Sequence, residues 1–287
     1  MSSNVILGLA TRQNLLSLQN INTATQTAQK ALATGLSVAD ATDNAVAFFQ
    51  SQALSQRASD LTQRKDATDQ AISSVTAATQ GVQSVVSIVE QLQGLLQSAA
   101  TETASQRAAT GTQFGTLAQQ LNNLVNATSY QGLNLINSTK SALSLQFSIT
   151  STDTFKITGQ NLQVSKLVTA AGVKASLLAT KLVGSKFSKV SNNTSVFTAA
   201  FNSLQNAVFK AQATAQTLGG NVTFLQTRES FTAQYITTLQ GGSDKLVVAD
   251  VNVESTNLVT LQTRQQLATQ SLSIATQNER SVLSLFH

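Results

Sequence analysis

The sequence of 287 residues contains no cysteine, proline or tryptophan, and its one histidine is the last residue, His287. The absence of cysteine excludes disulfide bonds, thiolate metal sites and cysteine nucleophiles. A single terminal histidine excludes a histidine-based catalytic triad and a metal site with several histidines. Charged residues make up only 11% of the chain, against roughly 25% in an average domain. Hydrophobic residues still reach 41%, which is enough for a packed core.

The few charges are distributed unevenly along the chain. Residues 140–210 carry eight lysines and one acid, Asp153, whereas the other residues carry ten basic and twelve acidic side chains. These lysines are spread singly, and neither an arginine nor an aromatic-rich RNA-binding signature accompanies them. We therefore expect a solvated or inter-subunit surface rather than a nucleic-acid site. Binding of a polyanion by this segment stays open as an alternative.

The N-terminus does not resemble a standard secretory signal peptide. Residues 1–8 lack a basic segment before a short apolar run, so the sequence predicts no cleaved signal peptide. By this reading no stretch approaches the roughly 18 apolar residues of a membrane span, and we expect no membrane insertion.

Long seams of apolar residues are the strongest pattern. Between residues 71 and 96, and again between 201 and 225, apolar residues recur at alternating steps of three and four. This seven-residue repeat is typical of helices packed along their length. The residues predicted for this helical core are Val75, Val82, Val85, Val89, Leu92, Leu204, Val208, Leu218, Val222 and Leu225.

Both ends of the chain carry helical stripes diluted by Gln, Asn and Thr. Isolated helices of this kind are marginal in water, so we expect the first and last helices to pair with each other and with other copies of the chain. The residues predicted for self-assembly are Leu9, Leu16, Leu18, Leu258, Leu261, Leu272, Val282 and Leu285.

The middle of the chain has a different pattern. Residues 143–150 alternate apolar and polar side chains, which predicts a half-buried strand. Residues 154–158 predict a second strand, and Leu162 and Val164 suggest a third. Gly35 is expected to end the first helix, and the pair Gly241–Gly242 is expected to end a long helix near the C-terminus.

Together these patterns predict a mainly α fold, an elongated rod of long antiparallel coiled-coil-like helices from both ends of the chain, with a small β-rich insertion. The expected divisions are a terminal-helix domain (1–42 and 245–287), a helical rod domain (43–140 and 198–244) and a surface-facing β-rich part (141–197).

The sequence offers little for catalysis. Five aspartates between residues 40 and 69 form the densest carboxylate group, but Arg64 and Lys65 lie beside Asp66 and Asp69. We expect these aspartates to be solvent-exposed charges on helices, because no sequence pattern typical of an active site accompanies them. The glycines lack phosphate-loop spacing. We predict no enzyme activity and no catalytic, cofactor or metal site.

Several motifs resemble bacterial flagellin, in a short form without the variable outer domains. The resemblance covers about residues 1–140 and 200–287, and the stretch from Asn126 to Ile136, which is similar to a turn of that family, is its most specific part. The other matching stretches are Thr34-Gly35-Leu36, Asp43-Asn44-Ala45, Leu218-Gly219-Gly220, Asp250–Glu254 and Val282–Phe286.

The resemblance implies a structural subunit that polymerises into the extracellular flagellar filament and serves motility. It implies as partners other copies of the chain, hook-associated and cap proteins, an export chaperone and the flagellar export apparatus. A hook–filament junction protein shares the terminal-helix plan and is the closest alternative; a surface adhesin or polyanion-binding module is a more distant one.

One departure bears on recognition by other cells. In the family, an Arg-Glu pair in the first long helix contacts an innate immune Toll-like receptor, and the matching positions here are Leu92 and Gln93. Loss of both charges predicts weak signalling or none.

Overall fold

The computed structural model describes residues 9–148, 154–169 and 194–284. Helices dominate these residues, and a short pair of strands lies between α3 and α4. In chain order the elements are α1 (Leu9–Thr34), α2 (Ala45–Thr101), α3 (Ala104–Ala127), β1 (Ala142–Gln146), β2 (Thr154–Thr158), α4 (Val164–Thr169), α5 (Thr194–Val247) and α6 (Val251–Ser284).

The chain divides into two compact units. The terminal unit combines Met1–Ala58 with Thr237–His287, and the central unit is Ser59–Ile236. The predicted fold class is confirmed: long helices pack against each other, and the β structure is a small insertion. The finer domain limits inferred from the sequence stay a prediction.

The core of the central unit lies along the predicted seams. Buried side chains of α2, α3 and α5 join those of β1, β2 and α4 in one hydrophobic cluster. The absence of proline leaves helices of 57 and 54 residues without a break. Lys65 of α2 joins Glu229 of α5 at 3.1 Å and Asp69 at 2.9 Å. Hydrogen bonds to Asp69, and then to Glu229, raise the pKa of Lys65.

The insertion is a two-stranded antiparallel sheet in which Leu143 lies opposite Ile157 and Leu145 lies opposite Phe155. The third strand predicted at Leu162 and Val164 is wrong. Leu162 is fully buried beside an isolated bridge between Asn137 and Asn161. At Val164 the short helix α4 begins, and the side-chain oxygen of Asn122 accepts a hydrogen bond from its N–H at 3.0 Å.

A tight turn follows α3 and is held from inside by one side chain. Gln131 and Gly132 adopt positive φ values of 49° and 81°, and glycine tolerates this backbone region without strain. The Asn134 side chain is only 7% exposed. Its amide donates to the carbonyls of residues 125 and 126, and its oxygen accepts from the N–H groups of residues 136 and 137, at 2.7–3.2 Å.

The end of α3 lies close to α2 at Gly81. A Cβ atom added at this residue would lie 2.5 Å from the methyl carbon of Thr128 and 3.0 Å from Cδ1 of Ile136. Gly94, farther along the same helix, has open space at the corresponding position. Gly81 is therefore required for close helix packing, whereas Gly94 is not.

The predicted helix stop at Gly241–Gly242 is wrong, because α5 continues to Val247. These glycines lie where α5 meets α2 within the terminal unit. A Cβ atom on Gly242 would lie 3.5 Å from Leu54. The neighbouring Ser243 hydroxyl donates to the carbonyl of Ser51 at 3.1 Å and shares a 2.9 Å hydrogen bond with Ser55. Small residues here permit helix contact rather than end the helix.

Contrary to the expectation from the sequence, helix α2 is long and apolar enough to cross a membrane, by length and composition alone. Its seam, however, forms part of the buried core of the central unit. The same composition is normal for the core helix of a packed bundle.

Replacing Asn134 with alanine is expected to lower the free energy of unfolding by about 2–4 kcal/mol, because it leaves buried backbone groups without partners. Urea unfolding followed by circular dichroism measures the change. Asn123→Ala, at an exposed position on α3, is the matched control and should change stability by less than about 0.5 kcal/mol. Equal effects of the two substitutions would contradict the role assigned to Asn134.

Two glycines of α2 make a second matched pair. Gly94→Ala should stabilise the protein by up to about 1 kcal/mol, since alanine is the better helix former. Gly81→Ala should destabilise it, because the stiff Thr128 side chain cannot yield without moving α3 away. Urea unfolding followed by circular dichroism measures both changes. Stabilisation by both substitutions would contradict the close contact between Gly81 and Thr128.

Candidate self-association surface on the first and last helices

The first and last helices of the chain pack against each other, as the stripes predict. On α6 the half-buried residues recur at steps of three and four from Glu254 to Ala275. Gln265 lies on this stripe, and its side-chain nitrogen donates to the Asn22 side-chain oxygen of α1 at 2.8 Å. On α1, Ala28 and Ala31 are buried. One face of each helix is therefore covered by the other.

The base of the pair is fixed by the loop after α1. Gly35 ends that helix with φ of 72°, as predicted, and its carbonyl accepts from the N–H of Ala249 at 2.9 Å. Ser37 donates its backbone N–H to the carbonyl of Val247 at 2.7 Å. Asp250 then immediately precedes α6, and its carboxylate accepts from the N–H of Asn252 at 2.9 Å. An aspartate at this position satisfies helix donors that otherwise lack partners.

A charged turn closes the connection from α1 to α2. The carboxylate of Asp43 accepts from the backbone N–H groups of Asp40 at 3.0 Å and Ala39 at 3.1 Å, and from the Lys30 ammonium at 3.3 Å. The hydrogen bond from Asp40, followed by that from Lys30, lowers the pKa of Asp43. Lys30 also pairs with the Asp40 carboxylate, and these two contacts raise the pKa of Lys30.

The paired helices leave a set of large apolar side chains exposed, which we call the outer apolar set. On α6, Leu267 is 63% exposed and Ile274 is 53% exposed, and their spacing of seven residues aligns them along the helix. Exposed apolar groups of this kind mark interaction sites when they cluster. The outer apolar set consists of Leu15, Leu16, Val251, Val253, Val259, Leu267 and Ile274.

Most of the residues predicted for self-assembly lie elsewhere in the pair. Leu16 belongs to the outer apolar set, but the other four whose side chains are described are half-buried: Leu18, Leu258, Leu261 and Leu272. The three leucines of α6 lie on the same stripe as Gln265, on the face toward α1. Leu9 begins α1 and Val282 lies near the end of α6, but their side chains lie outside the described part, and so does all of Leu285. Contact of these eight residues with another copy stays a prediction.

Val259, Leu267 and Ile274 are exposed but are not among the residues predicted for self-assembly. These residues form a second apolar line on α6 that is offset from the half-buried stripe between Glu254 and Ala275. The most regular seam of α6 marks the face that α1 covers, whereas this second line marks the face that remains exposed.

The residues predicted for the helical core lie in the central unit, on α2 and α5. All are buried except Val222, which is half-buried and packs against the same cluster. Leu92, at the position linked to receptor contact, is one of the buried ones, and Gln93 beside it is half-buried.

Many hydroxyl groups of the pair are satisfied within their own helix. On α6 the hydroxyls of Thr256, Thr260 and Thr263 donate to carbonyls four residues earlier at 2.9–3.0 Å. Thr23 and Thr27 do the same on α1, both at 3.1 Å. Threonine in a helix can bond in this way, and its methyl group then remains on the surface.

Acid should weaken the turn at Asp43. Because its folded pKa lies below the unfolded value, its stabilisation is complete above the unfolded pKa, about 4, and is lost as pH falls through the folded pKa. Asp43→Asn should therefore flatten the fall of the melting temperature below about pH 4. Melting followed by circular dichroism from neutral to acid pH measures this.

Asp66→Asn, at an exposed position of α2, changes the net charge equally and serves as the control. Identical acid profiles for the two variants would show that the turn does not hold the Asp43 carboxylate as described.

Comparison with known proteins agrees with this architecture. A family model for the bacterial flagellin N-terminal helical region matches residues 4–141. The chain is 26% identical to a flagellin of Brucella melitensis and 27% identical to flagellin FljM of Caulobacter vibrioides, each over 95% of both chains. A flagellar hook-associated protein of Vibrio parahaemolyticus shares the fold, with a TM-score of 0.62 at 13% identity over 72% of this chain and 100% of its own.

The N-terminal region of flagellins thus occupies the first half of the sequence, and whole flagellins align with nearly all of it. Along nearly its whole length the chain is therefore similar to bacterial flagellins.

Proposed function

We propose that the chain is a structural subunit of the bacterial flagellar filament and that it binds neighbouring copies through the outer apolar set of α1 and α6. The observation that carries the proposal is the pairing of these helices through one face only. Leu16, Leu267 and Ile274 stay exposed after the pair has formed. A second copy of the chain would remove these side chains from water.

The physical form of the assembly follows from the kind of contact. Contact between different surfaces of identical chains, when it does not close into a ring, generates an open helical filament. Each buried leucine or isoleucine contributes about 1.5–3 kcal/mol. Several such residues on two helices therefore suffice for polymerisation at high local concentration, while the surrounding Gln, Asn and Thr keep the free subunit soluble.

Further partners follow from this role. A filament subunit is extracellular, and this one would be exported through the flagellar export apparatus with the help of a chaperone and without a cleaved signal. It would meet hook-associated and cap proteins at the two ends of the filament. An enzymatic role is not proposed, since flagellins are structural proteins and no group of chemically reactive side chains in the sequence suggests one.

The alternatives are separable. A hook–filament junction protein has a similar terminal-helix plan, but alignment with flagellins over 95% of both chains favours the filament subunit. A polyanion-binding adhesin would depend on the lysines between residues 140 and 210 and would not need the outer apolar set.

The test compares two double variants of α6. Leu267→Ser with Ile274→Ser should raise the protein concentration needed for filament formation at least about tenfold, a change that corresponds to about 1.4 kcal/mol, and should leave the helicity of the monomer unchanged. Light scattering and negative-stain microscopy measure assembly, and circular dichroism measures helicity.

The control applies the same change to the covered stripe. Leu261→Ser with Leu272→Ser should lower the thermal stability of the monomer, because these half-buried side chains lie on the face toward α1. Several outcomes would reject the proposal: unimpaired assembly of the first variant, a wild-type protein that stays monomeric and binds heparin tightly, or one that only joins the ends of existing filaments.

A further inference from the structure

A cluster of aromatic rings lies on the surface of the central unit. Its centre is α5, where Phe224 is 46% exposed and Phe231 is 56% exposed. Rings of this size are normally buried. The cluster, which we call the aromatic ridge, consists of Phe147, Phe155, Phe224, Arg228, Phe231 and Tyr235.

The ridge is held in place by contacts between its own members. The ring centroids of Phe155 and Phe224 are 4.7 Å apart. The guanidinium of Arg228 lies 5.1 Å from the ring centroid of Phe147 and 5.7 Å from that of Phe231, which is within the range of cation–π attraction. Phe231 in turn stacks on Tyr235 at 6.0 Å. Because these rings are already ordered, binding a partner costs little side-chain entropy.

The surroundings of the ridge resemble the border of a protein interface. Thr223, Thr227, Ser230 and Gln234 of α5 are exposed beside it. An aromatic and arginine-containing centre within a polar border is the usual composition of a contact surface between proteins.

From this arrangement we propose that the aromatic ridge is a second contact surface for a neighbouring copy of the same chain in the filament. The proposal rests on the function proposed above and adds to it a surface of the central unit. Three features identify a second copy as the occupant: the size of the ridge, the uncharged residues that border it on α5 and the similarity of the chain to flagellins, which are filament subunits.

The size of the ridge is decisive. An aromatic side chain buries about 150–250 Å², so the exposed parts of Phe224, Phe231 and Tyr235 amount to roughly 300 Å². A stable complex of two free proteins buries about 800 Å² on each partner. The ridge alone is thus too small to hold a separate partner protein. It becomes effective when the terminal helices already hold a neighbour and the effective concentration is in the millimolar range.

The experiment measures whether assembly covers the ridge. Hydroxyl-radical oxidation of the wild-type chain, read by mass spectrometry, should label Phe224, Phe231 and Tyr235 at least about fivefold more slowly in filaments than in monomers, as burial removes most of the accessible ring. Phe114, which is 2% exposed in the core, is the internal reference and should label slowly in both states.

A pair of substitutions gives an independent measure. Phe231→Ser should raise the concentration needed for filament formation by about tenfold and leave the monomer folded. Phe209→Ser is the matched control, because Phe209 is also exposed, at 57%, on α5 but is not part of the ridge; it should change that concentration less than about twofold. Phe231→Leu, which keeps apolar area but loses the ring, should give an intermediate value.

The outcomes separate the two proposals. Filaments in which the ridge is oxidised as fast as in monomers would overturn the second contact and leave the filament function intact. Equal effects of Phe231→Ser and Phe209→Ser would also overturn it, since exposed apolar area alone would then explain the result. Failure of the wild-type chain to polymerise at all would overturn the filament function and this inference with it.

Discussion

Close packing of long helices along narrow seams is the constraint on which the central unit depends. The valine and alanine side chains along α2 are small, so neighbouring helices and the turn after α3 can lie close to the axis of α2. Gly81 marks the closest point, where even a methyl group would collide with Thr128. The seam extends through much of a helix of 57 residues, and a continuous helix of that length requires the absence of proline noted at the start.

The terminal unit follows a different rule. In this unit α1 and α6 have one covered face each, and contact between two helices cannot bury the rest. The turn around Asp43 and the backbone bonds between Ser37, Val247 and Ala249 hold the helices in register at one end. The structure therefore combines a pair with a fixed base and an incompletely buried apolar surface, which is the arrangement expected of a subunit that is completed by its neighbours.

Periodicity was sufficient to predict the long helices, the covered stripe of α6 and the positions of the two strands, because those features depend on local spacing. It was insufficient where a residue's role depends on what lies opposite. Gly241 and Gly242 look like a helix end in the sequence, but they allow contact with α2. Leu162 looks like part of a strand, but its side chain fills the core next to a single bridge. Leu267 and Ile274 belonged to no dominant seam, so their exposure could be recognised only after α1 was in place.

The hydroxyl bonds within α1 and α6 change the meaning of the polar composition. A residue such as Thr260 counts as polar in the sequence, yet its proton is already bonded to the carbonyl of Thr256. Burying a hydroxyl is costly chiefly when its hydrogen bond to water is not replaced. A neighbour that covers these threonines would meet methyl groups and would not have to supply acceptors for their protons. A surface that a hydropathy scale scores as polar can therefore lose its water at a low cost in free energy. For this reason a chain with few large apolar residues still has a broad surface that a neighbour can cover.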